Sequence, residues 1–139
     1  MIEQRRKLLR FPLQAADDRA PPPTPEEADR FKQLAKISPR AAMLGVRREL
    51  EDALRRTADR LNVLETRRIS MLTMTRVLRS IGAIDQHTSA LLEELRNIGI
   101  ATEQSAESTD LTEKDAFKFR ELANQAIERL DSIPPTQTP

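Results

Sequence analysis

Pro39-Arg40-Ala41-Ala42-Met43-Leu44-Gly45-Val46-Arg47-Arg48-Glu49-Leu50-Glu51-Asp52-Ala53-Leu54-Arg55-Arg56-Thr57-Ala58-Asp59-Arg60-Leu61 settles the structural class of this chain. Met43, Val46, Leu50, Ala53, Leu54, Ala58 and Leu61 recur at three- and four-residue steps and continue to Leu64. That period is the mark of a helix with one buried stripe. Ser38-Pro39 opens it, so the spacing predicts a helix over residues 39–64. The opposite face carries Glu51 with Arg55 and Asp52 with Arg56. Each is an i,i+4 pair worth roughly 0.2–0.5 kcal/mol on a solvated surface.

Downstream, Leu72, Met74, Val77, Leu78 and Ile81 predict a helix over 69–81, with Gly82 at the left-handed closing position. Asp85 is placed to cap a helix over 86–98, whose stripe is Thr88, Leu91, Leu92, Leu95 and Ile98. Residues 101–110, rich in Thr, Ser, Glu, Gln and Asp, read as an exposed acidic loop. Thr112-x-x-Asp115 resembles a capping box, with Leu111 set to staple against Ala116. The last helix then uses Ala116, Phe119, Ala123, Ile127 and Leu130 and stops before Pro134-Pro135. Upstream, Thr24-Pro25-Glu26-Glu27 starts a short helix over 25–36, with Ala28, Phe31, Leu34 and Ala35 on one face. The expected fold is all-α: an up-and-down four-helix bundle with a short N-terminal extra helix. Residues 24–133 form the domain, 1–23 a basic, proline-rich tail or linker, and 134–139 a C-terminal tail.

Composition narrows the chemistry. The 139 residues suffice for one domain, and charged residues make up 32% against 38% hydrophobic, with only three glycines. A net charge of +1 argues against a strongly basic nucleic-acid binder. With no cysteine and one histidine, disulfides are excluded and neither a metal nor a cofactor is expected. His87 reads as an exposed first-turn residue, and Met43, Met71 and Met74 as core packing. No apolar run reaches the roughly 20 residues of a membrane span, and the first residues lack a signal-peptide core, so a cytoplasmic location is expected. Arg5, Arg6, Lys7 and Arg10 around Leu8, Leu9 and Phe11 precede Pro21-Pro22-Pro23. This opening reads as a solvated tail, with contact of residues 1–12 with a membrane surface or a partner as the alternative.

Several short segments follow one another in a familiar order. They are Ser38-Pro39-Arg40-Ala41-Ala42, Arg48-Glu49-Leu50-Glu51-x-x-Leu54, Gly82-Ala83-Ile84-Asp85, Leu91-Leu92-Glu93-Glu94-Leu95-Arg96-Asn97 and Leu111-Thr112-x-x-Asp115-Ala116. Together they resemble the HEPN superfamily, small helical domains that include many bacterial metal-independent ribonucleases. The resemblance covers about residues 38–133. In that family an Arg-Asn-x-x-x-His motif lies in a cleft shared by two subunits and cuts RNA. Here Arg96 and Asn97 match the motif, and Ala101 stands at the histidine position. A homodimer paired through the motif-bearing helices is what the resemblance implies.

A metal-independent ribonuclease activates the ribose 2′-hydroxyl, stabilises charge on the phosphate and protonates the leaving oxygen. Arg96 suits the phosphate, but Ala101 moves no proton and Thr102 and Glu103 restore no histidine. An exposed Glu103 carboxylate is too weak a base and brings no proton donor. Arg96 and Asn97 also have a plain structural reading, as residues that close the last turn of a helix. The first expectation is a non-catalytic HEPN-like interaction or regulatory domain, dimeric, in a bacterial defence or toxin–antitoxin setting, with a protein partner. The second is a metal-independent endoribonuclease, inactivated by the alanine at 101 through natural loss or deliberate replacement, with weak RNA binding. The third is a cytoplasmic module of a membrane-associated protein.

Overall fold

The computed structural model describes residues 24–63, 69–105 and 111–135. Within them the chain forms α1 (Pro25–Ile37), α2 (Pro39–Arg60), α3 (Met71–Ser80), α4 (Gln86–Gln104) and α5 (Glu113–Asp131), with no strand. The tail 1–23 and residues 136–139 lie outside the described residues.

Each helix starts where a short polar side chain satisfies an otherwise orphan N–H. Thr24 Oγ1 accepts from the Glu27 amide at 3.1 Å while Glu27 Oε1 accepts from the Thr24 amide at 2.9 Å, closing a capping box. Thr112 and Asp115 do the same for α5. Ser38 caps α2, Ser70 caps α3 and Asp85 caps α4. Leu111 packs against the core that contains Ala116, as a staple requires.

Two helices end in the same backbone motif. At α3 the Gly82 amide donates to Arg79 and the Ala83 amide to Leu78, with Gly82 at φ 78°. At α2 Asn62, at φ 53°, donates to Asp59 and Val63 to Ala58. These paired bonds define a Schellman closure. They stop α2 at Arg60, one turn short of the expected 64.

Leu50, Leu54, Leu78, Leu92, Leu95 and Leu130 are fully buried, joined by Met43, Met71, Met74 and Phe119. Helix α2 touches all four other helices, α1 lies across α2 and α5, and α3 lies across α2 and α4. Arg40 at the start of α2 reaches Thr102 at the end of α4, and Thr88 near the start of α4 meets Arg129 near the end of α5. Arg56 and Asp131 bring the ends of α2 and α5 together. The three long helices therefore run up, down, up, and α2 and α5 are parallel. Helix α3, with 10 residues and so about 15 Å long, fills a half-length pass between α2 and α4. The chain is an all-α helical bundle with a short extra helix at its N-terminal side.

Two expectations are corrected. Helix α4 continues through Gln104, so Ala101–Gln104 belong to a helix, and Thr102 is buried at 3% exposure. The surface pairs on α2 also differ: Arg47 is 3.7 Å from Glu51 and Arg55 is 3.7 Å from Asp52, while Arg56 turns to Asp131 at 3.2 Å. The buried carboxylate of Asp131 on α5 attracts Arg56 more strongly than the solvated Asp52 does.

Candidate functional site

The motif positions fall in the interior of α4. Asn97 and Ala101 are exposed and four residues apart, so they share the outer face. Arg96 is half-buried and precedes Ala101 by five residues, about 140° round the helix axis. Within the single chain the arginine and the histidine position therefore do not converge. Among the described residues the Arg96 side chain takes part in no hydrogen bond or ion pair. Its flank of α4 also carries Gly99, Ile100 and Glu103. His87 is exposed in the first turn of α4, and no described group of three or more His, Asp or Glu residues could hold a metal ion.

Arg96 and Asn97, read from the sequence as closing the last turn, lie inside the helix, and so does Gly99. Its missing side chain admits the stem of Arg47 from α2, and a Cβ there would stand 2.9 Å from Arg47 Cδ. The Arg47 guanidinium then reaches Glu103 at 3.2 Å. One turn beyond, Arg40 Nε donates to the Thr102 carbonyl at 3.2 Å and Nη2 donates to the Glu103 carbonyl at 2.9 Å. A guanidinium on the last carbonyls of a helix satisfies orphan acceptors and offsets the negative end of the macrodipole. This is why α4 runs past residue 98. Glu103, expected in a loop, is thus on a helix and paired with Arg47.

The other end of α2 carries a buried counterpart. Arg60 Nη2 donates to the Leu130 carbonyl at 2.7 Å and to Thr57 Oγ1 at 3.3 Å, and Nε donates to the Ile133 carbonyl at 3.2 Å. Thr57 Oγ1 donates to the Ala53 carbonyl at 2.8 Å. The Asp131 carboxylate accepts from Arg56 Nη2 at 3.2 and 3.3 Å, with Arg60 Nη1 at 4.0 Å. Parallel packing sets the carbonyl ends of α2 and α5 side by side, and two guanidinium groups offset the combined negative potential. This cluster is architectural, since its bonds tie the ends of α2 and α5 together.

The remaining polar-apolar assembly is solvent-facing. The Phe31 ring of α1 meets Phe117 of α5 edge to face, with centroids 5.4 Å apart at 73°. Arg120 lies over the Phe31 ring at 4.5 Å. Phe117 is 36% exposed, Leu34 41% and Ile37 82%. Alongside runs an open groove of about 600 Å³ lined by Lys114, Phe117, Lys118, Arg120, Glu121 and Asn124. Partial desolvation raises the carboxyl of Glu49 on α2 above its usual range, opposed by the charge of Arg120.

The structure therefore places Arg96, Asn97 and Ala101 on one helix without gathering them into a catalytic cluster. It also brings forward residues that the sequence reading had not singled out for a role: Arg40, Arg47, Arg60, Asp131, Phe117 and Arg120. For Phe117 a signal exists, because an aromatic beside Ala116 falls off the stripe of its helix. Arg40 and Arg60 carry no such signal, since their acceptors are carbonyls 62 to 73 residues away. Compared with known proteins, this chain matches no family model, no curated protein and no solved structure.

Proposed function

We propose that this chain is a non-catalytic helical interaction domain of HEPN type, pairing with a second copy through α4 and holding a protein partner in the cytoplasm. The observation that carries the reading is Ala101 itself: the position where the resemblance puts the histidine is an exposed alanine on α4, which carries no proton. A scaffold or regulator in a bacterial defence or toxin–antitoxin setting fits that loss of a proton carrier. The exposed stripe of α4 around Asn97 and Ala101 is the surface offered to the second copy.

One observation favours a second reading, an endoribonuclease silenced at position 101. The Arg96 side chain makes no hydrogen bond or ion pair among the described residues, which leaves its guanidinium available to a phosphate. The membrane-associated reading rests on residues 1–12, which lie outside the described residues. No described helix is long and apolar enough to cross a membrane.

The test incubates the chain and its Ala101→His variant with labelled structured and single-stranded RNA in the absence of metal. Silence from both supports the interaction domain. Cleavage by the variant alone identifies the silenced nuclease, and cleavage by the unmodified chain removes the non-catalytic reading. Light scattering at tens of micromolar tests the pairing, and a monomer there counts against it.

A further inference from the structure

We propose that α1 is an exchangeable arm, and that the surface of α2 and α5 beneath it takes the α1 of a second copy of this chain. The hinge is one residue long. Ser38 alone separates Ile37, the last residue of α1, from Pro39, the first of α2. Neighbouring helices in bundles are usually joined by about 2–8 residues. Helix α1 is also a finished unit. Thr24 and Glu27 close its capping box on each other, and at the far end the Ser38 amide donates to the Leu34 carbonyl at 2.7 Å. None of these bonds depends on which copy α1 rests against.

Ser38 has a second position open to it. It caps α2 at ψ 92°, while the caps of the other helices, Thr24, Ser70, Asp85 and Thr112, hold ψ between 158° and 177°. A following proline favours the same extended range and disfavours the helical one, so α1 and α2 do not fuse into one helix. A turn of roughly 70° about that single bond swings α1 off its own α2 and α5, while Ser38 remains in the conformation of a cap.

The exposure pattern selects a second copy as the occupant. In the docked arm Ala35 is fully buried and Phe31 meets Phe117 and Arg120. An identical α1 from another chain reproduces those contacts, which makes exchange a low-cost route to a dimer. Ile37, beside the hinge, is by contrast 82% exposed. A one-residue hinge reaches only about 7 Å, so a two-fold exchange brings both hinges, and both Ile37 side chains, close to the axis. Ile37 then gains the apolar cover that the closed chain denies it. Arg40, the first charge on α2, opposes this little, because its guanidinium already lies on the Thr102 and Glu103 carbonyls. The exchange uses a face distinct from α4 and is independent of pairing through that helix.

The experiment refolds the full chain from urea at high and at low concentration and sizes the products by light scattering. A dimer is expected at high concentration. When an equal mixture of isotope-labelled and unlabelled chains is refolded together, isotope-filtered spectra should show Phe31 of one chain against Phe117 of the other. Ile37→Asp should weaken the dimer about tenfold or more and leave the monomer's melt unchanged. Inserting Gly-Ser-Gly between Ser38 and Pro39 should shift the mixture towards monomer, because a longer link closes readily on its own chain. Ala101→Arg, on the outer face of α4, should leave the exchange intact. A monomer at every concentration overturns the proposal. So does a dimer whose Phe31–Phe117 contacts stay within each chain, or one that Ile37→Asp leaves unchanged. A dimer lost with Ala101→Arg and kept with Ile37→Asp belongs to α4, and then the exchange falls while that pairing stands.

Discussion

Arg60 at the end of α2 and Arg40 at its start perform one chemical task under different burial. Each lays a guanidinium on the C-terminal carbonyls of another helix, Arg60 on α5 and Arg40 on α4. Arg60 works inside the protein, with its side chain 5% exposed and Asp131 at 9% beside it. Arg40 works at a partly solvated edge, and the adjacent Glu103 side chain is 62% exposed. The lesson is that burial, rather than the bond inventory, sets what such a clamp contributes. Inside, every donor and acceptor must be matched or the loss is large. At the edge, water replaces whatever is removed.

The largest effect is expected from Arg60→Ala. It removes the Arg60 charge from beside the Asp131 carboxylate and the Arg60 donor from the Leu130 and Ile133 carbonyls. Breaking a buried charged cluster on one side costs about 3–5 kcal/mol, read as a lower urea midpoint at unchanged slope. A loss below about 1 kcal/mol would place Arg60 in the same class as a surface arginine and break the comparison.

Gly99→Ala sharpens the comparison at the open end. Alanine gains about 1 kcal/mol of helix propensity over glycine, but its Cβ meets the Arg47 stem at 2.9 Å. The single change is expected to be close to neutral, because Arg47 must withdraw from Glu103. In an Arg47→Ala background the same change should stabilise by about 1 kcal/mol. Equal effects in the two backgrounds would show that Arg47 does not occupy the glycine's space. Arg40→Ala should cost about 1 kcal/mol or less, and added salt should shrink the cost as it screens the contact with the helix end. Helix fraying confined to Thr102–Ser105 in amide exchange would locate that loss.

The same contrast explains what could be read from the chain alone. Thr24, Ser38, Asp85 and Thr112 were legible as helix starts because each acts on an amide three residues away. The apolar stripes were legible because burial imposes a 3.6-residue period. The end of α4 was not, since Asn97-x-Gly99 signals a stop locally and the opposing force comes from α2. The pairing of Arg56 escaped for the same reason, because Asp131 competes from another helix. The motif residues Arg96, Asn97 and Ala101 were found by resemblance, but their divergence round the helix depended on where α4 ends. The ring pair and its groove depended on how α1 crosses α5, which no local pattern encodes.

Helix α4 finally offers a comparison within itself, with one cap of its own and one borrowed. Its N-terminus is held by Asp85, whose carboxylate accepts from the Thr88 amide at 2.8 Å. That bond, helped by the Thr88 side chain and the charges of Arg129 and His87, holds the Asp85 carboxyl below the usual aspartate range. A carboxyl lowered on folding stabilises the folded state fully above its ordinary value, and the contribution fades as pH falls through the lower folded value. The difference in stability between the parent chain and Asp85→Asn should therefore be constant near neutrality and shrink in acid. A carboxyl-carbon titration should place the Asp85 midpoint below that of an unstructured aspartate. Arg40→Ala should behave the opposite way, changing with salt and not with acid, because a guanidinium on backbone carbonyls has no proton to gain or lose there. Matching pH profiles for the two variants would mean that the ends of α4 are not capped independently. Diverging ones would show that the self-made cap answers to protons while the borrowed one answers to ionic strength.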